Sequence, residues 1–158
     1  MTTLDAVRTR AEQLMAAHLG PGSWSFAFDH AKTRAGQCDF ARRRITVSRH
    51  VAVRISEADV DQVLLHEIAH ALAGPRAGHG PRWRRTAASL GYTGSRLYDG
   101  PVASELAPWV GTCPSGHEHF RYRTPTRPLA CARCSRRFDP RNVISWSRRA
   151  VPAQRGTA

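Results

Sequence analysis

The densest chemistry in the 158-residue chain lies in five consecutive residues, His66-Glu67-Ile68-Ala69-His70. His66 and His70 stand four apart, so on a helix both imidazoles leave one face and can close on one metal ion. Neutral imidazole suits Zn²⁺, which in catalytic sites keeps a position open for water. Glu67 is rotated about 100° from His66, because 3.6 residues make a turn. It can therefore reach that water without being a ligand. Zinc lowers the water's pKa to about 7, and a neighbouring carboxylate can take its proton. This is the apparatus for attacking a peptide carbonyl. The plain alternative is two histidines packed beside a core glutamate, but a buried, unpaired glutamate is costly.

A third protein ligand is needed. The metzincin continuation is absent: Ala73 stands where that pattern has Gly, and Arg76 where it has His. His79, in Gly78-His79-Gly80-Pro81-Arg82-Trp83, is the best candidate. Its flanking glycines let the chain turn sharply and approach a metal closely, and eight residues separate it from His70. Glu105 is the rival, as third ligand of a gluzincin-like arrangement.

A second ligand set follows. Cys113 and His117 precede, by thirteen residues, Cys131-Ala132-Arg133-Cys134. Two short pairs joined by a loop are the pattern of a zinc ribbon or finger. Gly116 stands where a second cysteine of the first pair would be, so His117 or His119 must supply the fourth ligand, with His117 preferred. Three Cys and one His would make a closed structural site. A Cys131–Cys134 disulfide is the redox alternative. Cys38, alone on a strand, reads as a small buried hydrophobe.

The elements that must position these residues are legible from caps and periodicity. Thr3 caps a helix whose apolar residues run from Leu4 to His18 and which Gly20-Pro21-Gly22 ends. Trp24, Phe26 and Phe28 alternate as a strand, Arg34-Ala35-Gly36 turns, and Cys38 with Phe40, then Ile45 with Val47, continue the alternation. Ser56 and Asp59 form a capping box at the head of the helix that carries His66 and His70, with Val60, Val63, Leu64, Ile68, Ala71 and Leu72 as its apolar face. Gly74-Pro75 stops it. Pro81 opens a shorter helix with Trp83, Ala87 and Leu90 on one face, closed by Gly91. Residues 92–112 read as a connecting segment.

The combination of His66-Glu67-Ile68-Ala69-His70, Gly78-His79-Gly80 with Trp83 three residues on, a Gly36…Arg44-Ile45-Thr46-Val47-Ser48 hairpin and a later cysteine module resembles the SprT-like metallopeptidases, a family that includes the DNA-dependent protease Spartan. The resemblance covers roughly residues 4–146. It implies a zincin-like fold, zinc on His66, His70 and His79, and Glu67 as general base.

Bulk properties bound the rest. Apolar residues (41%) and charged residues (23%) are near globular norms, so wholesale disorder is excluded. No run of about 18 apolar residues could span a membrane. The N-terminus lacks the apolar core of a signal peptide, which points to the cytoplasm. Net charge is +12, and residues 113–158 hold ten basic and two acidic residues, +8 of that total. Arg121, Arg123, Arg127, Arg133, Arg136, Arg137, Arg141, Arg148 and Arg149 interleave with Phe120, Tyr122, Phe138 and Trp146. Arginines can neutralise phosphates and aromatics can stack on bases. The alternative is a small ribbon whose aromatics form its core while the arginines only solvate it.

The expectation is an α+β protein with three parts. Residues 1–106 form a zincin-like core, a small sheet packed on the His66–His70 helix. Residues 107–149 form a basic zinc-ribbon module, and 150–158 a disordered tail. It would carry one catalytic and one structural zinc, take protein substrates near nucleic acid, and have no membrane partner. The rival readings are a nucleic-acid-binding zinc protein with an idle or repurposed centre, and a structural zinc protein without catalysis. Glu67 argues against both, since a structural zinc needs no base.

Overall fold

The computed structural model describes residues 2–94 and 104–149, without the side chain of Glu105. The fold is α+β, and the chain divides into two compact units, Met1–Ala103 and Ser104–Ala158. The division falls at 103/104, where sequence reading sets it at 106. The expected tail, residues 150–158, lies outside the described residues.

In the first unit, α1 (Leu4–Leu19) starts where the Thr3 hydroxyl accepts the Ala6 N–H. Three short strands follow: β1 (Ser25–Asp29), β2 (Gly36–Asp39) and β3 (Arg44–Ser48). Their order is β1-β3-β2, with β1 parallel and β2 antiparallel to the central β3. β3 is the most buried strand, with Ile45, Thr46, Val47 and Ser48 all inside. A four-residue helix, α2 (Arg49–Ala52), was not expected; Ser48 caps it by accepting the Val51 N–H. The long helix α3 (Glu57–Ala73) begins at the Ser56/Asp59 capping box and ends at Gly74, and α4 (Pro81–Ser89) has Pro81 at its first position.

Packing fixes how α3 presents its two faces. Val60, Val63 and Leu64 join Val7 and Ala11 of α1, Val47 and Val51 in the main core. Ile68 meets Met15 and Ile45 in an adjoining cluster. Ala69 and Ala73 pack on Trp83 and Ala87 of α4. α3 is thus pinned by α1 and the sheet on one side and by α4 on another, which leaves the histidine stripe between them.

The second unit is a three-stranded antiparallel sheet, β4 (Trp109–Thr112) between β5 (Glu118–Arg121) and β6 (Ser145–Arg148). Residues 109–112, expected within a connecting segment, are therefore its central strand; Pro108 and Gly111 hid a strand whose partners lie far along the chain. Gly111 is there for space: a Cβ would sit 2.5 Å from Ile144 Cγ2 and 2.7 Å from Trp146. The core is Cys113, Cys131 and Ile144, with Leu129 and Trp146 packed against it. Among the described residues no helix is long and apolar enough to cross a membrane.

Candidate metal centres

α3 delivers His66 and His70 from one face, as their spacing requires. His79 reaches them because the chain leaves α3 at Gly74 (φ 92°), turns through Gly78 (φ 50°) and re-enters a helix at Pro81. The Nε2 atoms of the three histidines converge, at 3.3 Å (His66–His70), 3.0 Å (His70–His79) and 3.0 Å (His66–His79). Trp83 packs against all three rings, its centroid 4.6–5.3 Å from theirs, and its indole N–H donates to the His66 carbonyl at 3.4 Å. The Tyr92 hydroxyl lies 3.2 Å from His66 Nδ1, a contact no residue spacing announces. The side chain of Glu105 is outside the described residues.

The residues fit a metal ion. Around a tetrahedral zinc with Zn–N of about 2.0–2.1 Å, ligand nitrogens sit roughly 3.3–3.4 Å apart. Burial first, then the neighbouring imidazoles, hold His66 at about 4, and burial with His79 does the same for His70. The imidazoles are thereby kept neutral at neutral pH, and the lone pairs that crowd together could be shared by one cation.

Glu67 is only 7% exposed. Burial pushes its carboxyl up to about 8; Asp29 adds to the rise, while Arg34 and the Cys38 backbone N–H oppose it. Asp29 itself accepts from Arg34 Nη2 at 2.9 Å and from Thr46 Oγ1 at 2.6 Å. β2 passes directly over Glu67: a Cβ on Gly36 would lie 2.9 Å from both Glu67 Cγ and Oε1. Cys38 is half-buried rather than buried. Burial, then Glu67 and Asp39, push its thiol up to about 12.

In the second unit Cys113, His117, Cys131 and Cys134 converge, and His119 does not join them. The His117 Nδ1 atom lies 3.4, 3.5 and 3.3 Å from the sulfurs of Cys113, Cys131 and Cys134, and Cys113 Sγ lies 3.8 Å from Cys134 Sγ. Tetrahedral zinc with Zn–S of about 2.3 Å calls for roughly 3.8 Å between sulfurs and roughly 3.5 Å between sulfur and nitrogen. Gly116, at φ 81°, makes the turn that brings His117 back, and its N–H donates to the Cys113 carbonyl at 2.9 Å. Burial raises the Cys113 thiol, but the N–H groups of His117 and Ser115 and the neighbouring thiols bring it down to about 6. All four cysteines are free thiols. The His119 ring instead faces Trp146, 6.5 Å between centroids.

Residues 5–102 match a family model described as SprT-like family. The match ends before Cys113, short of the residues 4–146 over which the sequence resemblance extends. No curated protein matches the chain. Among solved structures, the metallopeptidase zymogen of Pyrococcus abyssi abylysin is similar at 17% identity and a TM-score of 0.42, over 65% of this chain and 87% of that one.

Proposed function

The chain belongs to the SprT-like family, and on that premise we propose that it is a zinc-dependent endopeptidase with a zincin-like core, acting on proteins at or near nucleic acid. His66, His70 and His79 would hold one zinc ion, and Cys113, His117, Cys131 and Cys134 a second, structural one in a zinc ribbon. The observation that carries the reading is Glu67, a buried carboxyl group on the turn of α3 between the two histidines, which a merely structural metal would not need.

A bound zinc supplies Lewis acidity and a water of lowered pKa. Glu67 takes the proton of the attacking water, holds it on its carboxyl, and returns it to the leaving amide nitrogen. The high proton affinity that burial gives Glu67 suits a group that must keep a proton between these two transfers, and a cation held by the three histidines would favour the carboxylate form that acts first as a base. β2 lies against the Glu67 carboxyl group, and only 7% of the residue is exposed to water. The chelator test is direct. Removing metal should abolish digestion of an unfolded protein such as casein, and zinc alone should restore it; digestion that survives complete metal removal would end the proposal.

Nucleic-acid association rests on the second unit. Arg127, Arg136, Arg137 and Phe138 line one hollow of about 300 Å³, with Phe138 62% exposed. Trp146 packs against the cysteine cluster, while Phe138 and Phe120 are exposed, the latter with the Arg149 guanidinium 5.8 Å from its ring centroid. The cysteines must stay reduced to bind metal, which supports a cytoplasmic location.

A further inference from the structure

His66 faces two ways. Its Nε2 points to His70 and His79, and its Nδ1 faces the Tyr92 hydroxyl at 3.2 Å. A neutral imidazole carries one proton, and a metal ligand must offer the lone pair of the ligating nitrogen. If Nε2 ligates, as the proposed zinc centre requires, the proton sits on Nδ1 and points at the Tyr92 oxygen. We propose that Tyr92 is a positioning residue of the metal centre. Its hydroxyl accepts the His66 Nδ1–H, fixes that tautomer and the ring's orientation, and so raises the affinity for zinc.

Tyr92 sits on the chain just past α4, and the surrounding contacts hold it to the purpose. Gln62, one helical turn before His66 on α3, grips the residues on both sides of it. The Gln62 Oε1 accepts the Thr93 N–H at 2.8 Å and the Thr93 hydroxyl at 3.2 Å, and its Nε2 donates to the Gly91 carbonyl at 3.3 Å. The Tyr92 N–H donates to the Ala87 carbonyl at 3.0 Å, which ties the segment to the end of α4. The ring packs edge-on against His66 and Trp83, at 5.3 and 5.8 Å between centroids. Gly94 leaves room for the hydroxyl, since a Cβ there would lie 2.6 Å from Tyr92 Oη and 2.8 Å from Cζ. The element that carries two ligands and the segment that carries the tyrosine are thus fastened at the turn where the hydroxyl must meet the imidazole. Groups that accept the second N–H of a ligating histidine typically change metal affinity by about 10–100-fold.

The test compares the full-length parent with Tyr92→Phe, which keeps the ring and removes only the oxygen. Zinc affinity is read by competition with a chelator, with His66→Ala marking which zinc belongs to the histidine cluster. The His66 tautomer is read in the metal-free protein by long-range proton–nitrogen NMR. Tyr92→Phe should bind that zinc at least about tenfold more weakly, and His66 should lose its preference for the Nδ1–H form, while the zinc at the cysteine cluster is unaffected. Unchanged affinity and an unchanged tautomer in Tyr92→Phe would overturn the inference alone. A parent in which His66→Ala removes no zinc would instead overturn the zinc centre itself.

Discussion

Glu67 owes its position to a missing side chain on the neighbouring strand. Gly36 has no Cβ, and Glu67 Cγ and Oε1 come within 2.9 Å of where one would stand, with the Thr46 carbonyl oxygen 3.1 Å from the same point. An alanine there must push either the carboxyl group or the β2–β3 pairing. Gly36→Ala should therefore lower kcat by tenfold or more with both zinc ions retained, and cost roughly 1–3 kcal/mol of stability as an overpacked site. Steady-state kinetics, metal analysis and a denaturant melt check it; full activity would show that Glu67 is free to move. At this scale much was legible. The i, i+4 histidines, the glycine-flanked His79 and the Cys131/Cys134 pair announce themselves because ligand chemistry restricts residue type and spacing together. Spacing alone only prefers His117 over His119; the turn at Gly116 is what brings His117, and not His119, to the three cysteines. Tyr92 had no signal at all, since any residue that the Gly91–Gly94 segment carried to that point would have had the same place in the sequence.

α3 is the element on which the site depends, and its start is defined by a reciprocal cap. The Ser56 hydroxyl accepts the Asp59 N–H at 3.1 Å, and the Asp59 carboxylate accepts from the Ser56 hydroxyl at 2.7 Å and from its N–H at 3.4 Å. Ser56→Ala should destabilise the protein by about 1 kcal/mol. It should leave zinc affinity at the histidine cluster unchanged, because the cap lies more than two turns from His66 and the core between them holds the helix. A thermal melt beside a zinc competition assay tests this, and weakened zinc binding would mean that the helix start and the site are coupled. Helices with caps and stops (α1, α3 and α4) could be read from sequence because those signals are local. The short α2 could have been found from Ser48, a capping residue hidden at the end of a strand. The sheet order β1-β3-β2 could not, because parallel pairing of β1 with β3 is a contact between segments separated by β2. β4 was missed for the same reason: four residues of strand gain meaning only from β5 and β6.

Over the whole molecule, charge and metal chemistry are divided between the two units. The +8 carried by residues 113–158 of the total +12 is the ground for placing nucleic-acid affinity there. Binding that neutralises about four to six phosphates should weaken with salt at a log–log slope of roughly −3 to −5. Replacing Arg127, Arg136 and Arg137 by Gln should flatten that slope by about 2–3, and Phe138→Ala should weaken single strands more than duplex. An unchanged slope in the triple variant would return the arginine excess to mere solvation. The cleavage chemistry, by contrast, is assigned to the first unit alone. The most direct measurement of the central claim is digestion of an unfolded protein by Glu67→Gln beside the parent, with zinc counted in both. Gln keeps the shape of Glu but cannot take the water's proton, so both proteins should hold two zinc ions and the variant should cleave about 10²–10⁴ times more slowly. Cleavage at the parental rate by a fully zinc-loaded variant would contradict the account.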